Sequence, residues 1–297
     1  MEKLEYTFKT DTLFKLLFVR HPDLLKRLVA QLLGLKLECI ERFELRNPEM
    51  PPESLGDKFC RLDINMTVNG QRVDLEIQVN DKGDYPERTL FYWAREYSTA
   101  LVEGGKYQEL PRVVIISIVA FTIWGCQDYH SEYQPLEVKR HTPLTDKQSL
   151  HFFELSKLPE LELVGRDDEL LLWLSLFKAD TEEDLRRIEA LEVPIMEQAI
   201  EAYRSITAAA EFREIERLRS KARHDEAQAL YHAQLVGRQE GLREGHHEGR
   251  QEGRQEGLRE GKNAIALNLL REKIPRDIIA KATGLTLEEI EGLAGDL

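Results

Sequence analysis

The sequence predicts an α/β protein, a mixed sheet flanked by helices, with helical additions at the C-terminal end. Three stretches carry that prediction. Residues 57–79, DKFCRLDINMTVNGQRVDLEIQV, alternate apolar and polar residues on either side of Asn69-Gly70. That pair is the one a two-residue type I′ turn asks for, because both positions take φ > 0. Residues 87–102 place Leu90, Trp93, Ala94, Tyr97 and Leu101 on one helical stripe. Residues 113–123 form an almost unbroken apolar run, the pattern of a strand covered on both faces. A strand, a helix and a buried strand in that order suggest a strand–helix–strand crossover.

Before the hairpin, Leu13, Phe14, Leu17, Phe18, Leu24, Leu25, Leu28, Val29, Leu32 and Leu33 recur at helical spacing over residues 11–34. His21-Pro22 breaks the run, since a residue preceding Pro disfavours the α region. Gly34 is a C-terminal stop. A short strand is expected over Cys39 to Leu45, then a Pro-rich loop from Asn47 to Gly56. Asn80 to Pro86 is a polar connection into the helix of residues 87–102, from which Arg88, Tyr92 and Arg95 are candidates to face a substrate. Aromatic residues at helical spacing are more often core, so Tyr92 is left out of the site. Phe152 to Leu155 reads as a last short strand, closing the first domain (1–165).

The hairpin carries the chemistry. If Asn69 and Gly70 are the loop, Val68 faces Gln71, Asn65 faces Asp74, Asp63 faces Glu76 and Arg61 faces Gln78. Leu62, Ile64, Met66, Val68, Val73, Leu75, Ile77 and Val79 share one face; Asp63, Asn65, Thr67, Asp74, Glu76 and Gln78 share the other. Facing residues have Cβ atoms about 4.5–5.5 Å apart, and like charges there destabilise the sheet. A divalent cation between Asp63 and Glu76 would turn that repulsion into binding, since Mg²⁺ takes carboxylates, water and substrate phosphates as ligands. The alternative is a solvated outer face with the two acids splayed into water.

Asp63, twelve residues, then Glu76-Ile77-Gln78 resembles the motif of the PD-(D/E)XK nucleases, in the form that has Gln where Lys is usual. Thr10-Asp11-Thr12-Leu13-Phe14-Lys15, Glu87-Arg88-Thr89-Leu90-Phe91-Tyr92-Trp93, a charged Gly-Glu repeat and a terminal Ile-Ala-Lys-Ala-Thr-Gly-Leu segment resemble one branch of that superfamily, the transposase-like recombination-promoting nucleases (Rpn). The resemblance covers most of the chain. It implies a restriction-endonuclease-like core and a metal-dependent DNA endonuclease that promotes recombination or transposition. Asp63 and Glu76 would hold Mg²⁺ or Mn²⁺, and Gln78 would stand in the place of the Lys. An amide orients water but brings no positive charge, so low activity is expected. For Asp11 two roles stay open: a favourable charge at a helix N-terminus, or an acid that approaches the metal from the first helix. A non-catalytic DNA- or protein-binding module on a degenerate nuclease core is the rival.

Composition agrees with DNA as a local rather than a global partner. The formal net charge is −13, which argues against a general nucleic-acid coat but leaves room for a basic patch and a metal. Cys39, Cys60 and Cys126 have no pairing pattern, as suits a reducing cytoplasm. The first ten residues lack an apolar signal core, and the run from Val113 to Trp124 is too short to span a bilayer. A cytoplasmic protein without membrane contact is expected.

The remainder is helical and charged. Residues 166–235 start with Leu170 to Phe177 and read as a helical scaffold; residues 166–210 carry 5 basic and 11 acidic side chains. Residues 236–262 hold a Gly-x-x-Glu repeat, with glycines at 237, 241, 245, 249, 253, 257 and 261. Each Gly costs a helix roughly 1 kcal/mol relative to Ala. Two readings remain: a flexible charged linker, or a helix rescued by another helix packed on the glycines. His246-His247 has no further ligand cluster nearby. Residues 263–297 read as two short helices broken at Lys273-Ile274-Pro275, with a capping box at Thr286 and Glu289. Ala282-Thr283-Gly284-Leu285 resembles the turn of a helix-turn-helix, yet Thr286 to Leu297 has no basic residue and four acids, a poor recognition helix. These C-terminal helices are the expected surface for a homo-oligomer.

Overall fold

The computed structural model describes residues 2–46, 49–50, 60–61, 64–101 and 104–295. The chain divides into two compact units, Met1–Glu216 and Arg217–Leu297.

The first unit opens with α1 (Asp11–Arg20) and α2 (Pro22–Leu32), separated at His21 as its position before Pro requires. Gly34, at φ +63°, lets Leu35 N–H reach back to Ala30 O and close α2. Strands β1 (Phe43–Leu45), β2 (Glu49–Met50), β3 (Cys60–Arg61), β4 (Ile64–Val68) and β5 (Gln71–Gln78) follow. Then come α3 (Tyr85–Ser98), β6 (Val113–Val119), β7 (His130–Tyr133) and β8 (Gln148–Glu154). Six strands form a mixed sheet in the order β1-β4-β5-β6-β8-β7, and β2 pairs with β3 separately.

The β4–β5 hairpin has the expected turn and register. Asn69 and Gly70 sit at φ +49° and +80°, Val68 faces Gln71 and Asn65 faces Asp74. The Asn69 side chain does more than turn the chain. Its Oδ1 accepts from the Glu41 and Arg42 N–H groups at 2.9 and 3.1 Å, and its Nδ2 donates to Cys39 O at 2.7 Å. The crossover is also as expected: β5 and β6 are parallel, with α3 between them in sequence. All seven residues of β6 are buried.

One face of the sheet presents Val73, Leu75, Ile77, Val114, Ile116, Ile118 and Phe153 to a large core. That core is completed by α1, α2, α4 (Glu169–Lys178), α5 (Glu182–Glu189) and α6 (Pro194–Ala208), with Trp173, Phe14, Phe18 and Phe177 fully buried. The opposite face packs Val113, Ile115, Val119 and Phe152 against Tyr85, Trp93 and Tyr97, which include the inner face of α3. The N-terminal segment is stitched to the far end of the unit. Lys3 bridges Thr181, Lys9 pairs with Asp180 at 2.7 Å, Tyr203 donates to Tyr6 O, and Phe8 stacks on Tyr203 at 4.7 Å.

Several boundaries differ from expectation. Leu37–Cys39 is a 3₁₀ turn, and the strand begins only at Phe43, because Asn69 holds the backbone of residues 39–42 out of the sheet. The buried strand stops at Val119 rather than Ile123. The last strand runs from Gln148, and β7, a polar edge strand, has no apolar alternation to announce it.

The second unit comprises the greater part of α7 (Ala210–Arg271), then α8 (Arg276–Thr283) and α9 (Leu287–Gly295). The Gly-x-x-Glu repeat is helical throughout. A Cβ built on any of its seven glycines would meet no atom within 4 Å, so within this unit no described residue packs on the stripe. Ala266, Ile279, Leu285 and Ile290 form a small core. Gly284 turns the chain at φ +69°, and the Thr286–Glu289 capping box forms as expected.

Candidate active site

Alternation along β5 puts Arg72, Asp74, Glu76 and Gln78 on the face covered by α3. In register beside them stand Asn65 on β4 and Ser117 on β6, facing Asp74 and Glu76 respectively. This face is not solvated. Asp74 is 1% exposed, Glu76 6% and Asn65 2%, and Ser117 is fully buried. The Asn65 amide and the Ser117 hydroxyl have no hydrogen-bond partner among the described residues. Asp63 lies outside the described residues, so its pairing with Glu76 is not part of this geometry. Among the described residues no group of three or more His, Cys, Asp or Glu forms a ready-made metal cluster.

Two arginine arrangements close the ends of this strip. At the hairpin end, Glu96 of α3 is 3% exposed and receives Arg72 Nη1 at 3.2 Å and Arg46 Nη1 at 3.3 Å. Arg72 also donates to Glu96 O and Thr99 Oγ1. Burial, and then the charge of Arg46, depress the Arg72 guanidinium below its ordinary value; Glu96 opposes both. At the other end, Arg88 Nη2 donates to Gln78 Oε1 at 2.7 Å, while Gln78 Nε2 donates to Asn80 O at 3.0 Å. The Arg88 guanidinium lies 4.8 Å from the centre of the Tyr85 ring.

The other candidates fall elsewhere. Asp11 stands in the first turn of α1 and pairs with Lys15 at 3.1 Å. Trp93 and Tyr97 stack on each other and pack against the sheet, as core residues do.

Sequence reasoning missed a second polar group, at the β7 edge on the other face of the sheet. Ser149 Oγ donates to Glu132 Oε1 at 2.7 Å, so its contact of 2.9 Å with His151 Nε2 must be one in which the imidazole donates. His151 Nδ1 is then the acceptor for His130 Nε2, 3.1 Å away. Burial holds His151 at about 4, against the pull of Glu132, and lowers His130 as well. A serine nucleophile needs a base that accepts its proton. Here the hydroxyl proton points at the acid and Ser149 is fully buried, so this is not a hydrolase triad. The sequence reading missed it because the expected strand began only at Phe152, which left Ser149 and His151 outside any element.

The family model described as PD-(D/E)XK nuclease family transposase matches residues 8–233. The match takes in the hairpin, α3, the whole sheet and the helices through α6. Comparison with curated proteins and with solved structures gives no match. No helix among the described residues is long and apolar enough to cross a membrane. A mixed six-stranded sheet flanked by helices, buried acids on its central hairpin and a family match over most of its length place this chain in the family of PD-(D/E)XK nuclease transposases.

Proposed function

We propose that this chain is a metal-dependent DNA endonuclease of low activity that serves DNA recombination or transposition. One observation carries the reading beyond the family. Asp74, Glu76 and Asn65 share one sheet face and are all nearly inaccessible. Buried carboxylates are paired or coordinate metals, and a buried amide without a hydrogen-bond partner, as at Asn65, calls for an ion or water. Carboxylate and amide oxygens are the donors that a hard divalent cation takes, so these residues fit Mg²⁺ or Mn²⁺. In this reading Glu76 and Asp63 hold the ion, with the facing pair Asp74 and Asn65 two residues from Glu76 along the strand. The bound ion supplies Lewis acidity toward a phosphoryl oxygen and lowers the pKa of water. Gln78, fixed at both ends of its amide, orients rather than ionises, which accounts for a slow reaction. Self-association through the helical tail belongs to the same proposal.

Supercoiled plasmid incubated with the purified protein in Mg²⁺, in Mn²⁺ and in EDTA tests it, beside Glu76→Gln. Metal-dependent nicking that disappears in Glu76→Gln supports the reading. Equal nicking by Glu76→Gln removes Glu76 from the site. Metal-independent DNA binding with no cleavage favours a binding module instead.

A further inference from the structure

The nuclease motif ordinarily carries a Lys where this chain has Gln78, and the one cation on that strand, Arg72, lies at the hairpin end and is paired with Glu96. The structure offers one on the helix. We propose that Arg88 is the phosphate-facing cation of this site, held in position by Gln78. The inference rests on the reading of Glu76 and Gln78 as part of a nuclease site.

The geometry supports it at four points. Gln78 follows Glu76 by two residues on the same strand face, so the two side chains start about 7 Å apart. Arginine has only donors; therefore the Gln78 atom that meets Arg88 Nη2 at 2.7 Å is the carbonyl oxygen. The other end of that amide is anchored on Asn80 O, which fixes its direction. The guanidinium also rests over Tyr85, a ring 2% exposed and wedged edge-on against Phe121 and Phe152. Arg88 is thus located from two sides by neutral groups.

Its charge, by contrast, is left uncancelled. Arg72 and Arg46, at the hairpin end of this face, are both paired with Glu96. Arg88 is only half-buried, and among the described residues it is in no ion pair and its Nε–H, although buried, has no hydrogen-bond partner. A half-buried guanidinium without a carboxylate, with one of its five N–H groups used on an amide, suits a phosphate oxygen. The exchange explains the Gln as well. A Lys at position 78 would bring an ammonium against Arg88, whereas an amide oxygen accepts from it.

Four variants test the assignment: Arg88→Gln, Arg88→Lys, Gln78→Lys, and the double variant Gln78→Lys/Arg88→Gln. Two quantities are read, plasmid cleavage in Mg²⁺ and affinity for a duplex oligonucleotide in Ca²⁺ between 50 and 300 mM salt. Arg88→Gln is expected to lose about 10²–10³-fold in cleavage rate, as loss of one donor to a developing oxyanion does. Its slope of log K against log salt should shrink by about 0.9, the contribution of one phosphate contact; a merely structural residue would leave that slope alone. Arg88→Lys should keep the slope and recover part of the rate. Gln78→Lys alone should lower the rate, and the double variant should recover it. If Arg88→Gln is poorly folded, the contrast between Gln78→Lys and the double variant decides the matter. Wild-type cleavage and an unchanged slope in Arg88→Gln would overturn the inference and leave the Glu76 site standing. Wild-type cleavage by Glu76→Gln would overturn the site itself.

Discussion

Glu76→Gln separates the electrostatic role of this carboxylate from its shape. Glu76 and Asp74 lie two residues apart on one strand, both nearly inaccessible, hence about 7 Å from each other. Two unit charges at that distance repel by about 2.5 kcal/mol at an effective dielectric of about 20. Removing one of them without changing the side chain's outline should therefore leave the metal-free fold as stable as wild type, or more stable by up to about 2 kcal/mol. For a unit of this size, 1 kcal/mol corresponds to about 2–4 °C in Tm. Mg²⁺ at about a hundredfold excess over its Kd should add about 2.7 kcal/mol to the wild type, and little to the variant. The assay is a thermal melt with and without Mg²⁺, followed by tryptophan fluorescence. All three tryptophans, Trp93, Trp124 and Trp173, lie in the first unit, so the signal reports on that unit. A metal-free variant that melts well below wild type, yet gains as much from Mg²⁺, would refute the reasoning.

Three further outcomes follow from the same structure. The fold favours neutral His151, held at about 4 against an ordinary 6.5, so the unfolded chain takes up that proton first. Its contribution is full above pH 6.5 and is lost as pH falls toward 4, by about 3 kcal/mol in all; urea melts from pH 7 to 4.5 should show a shallower decline in His151→Gln. Glu96→Ala leaves Arg72 and Arg46 facing each other without their shared carboxylate, and should cost about 3 kcal/mol, read as a fall in urea midpoint. Replacing Gly245, Gly249 and Gly253 by Ala should stabilise α7 by about 1 kcal/mol each, since their added Cβ atoms meet nothing. A loss of helicity by circular dichroism, or of oligomer mass by light scattering, would instead show a second chain seated on that stripe.

The hairpin was the most legible part of the chain, and for a physical reason. Asn-Gly restricts the turn to one type, the turn sets the register, and the register decides which side chains share a face. What alternation could not tell was whether the polar face is wet. Asp74 and Glu76 fall on a polar face that could be a metal site or a solvated surface, and they prove to be buried, because period-2 patterning reports sidedness, not what covers each side. The pairing of Arg88 with Gln78 was out of reach for a related reason: a contact between strand and helix depends on how the helix is set over the sheet. The helical state of the Gly-x-x-Glu repeat was left open because propensity argues against it. The apolar residues of α4 to α6, read as part of a separate scaffold, contribute Trp173, Phe177 and Ile200 to the same core as the sheet.

The stitching of the N-terminus to α6 sets an order of events during synthesis. Tyr6 and its partner Tyr203 are 197 residues apart. At roughly 5–20 residues per second, about 10–40 s pass between the emergence of one and the translation of the other. For most of that interval Phe8 has neither Tyr203 nor Phe177 to cover it, and α1 must wait beside a sheet whose parallel strands β5, β6 and β8 come from distant segments. Contacts of such long sequence separation form slowly. Tyr6 and Phe8 of a nascent chain therefore stay without their α6 partner Tyr203 until the intervening residues have been synthesised.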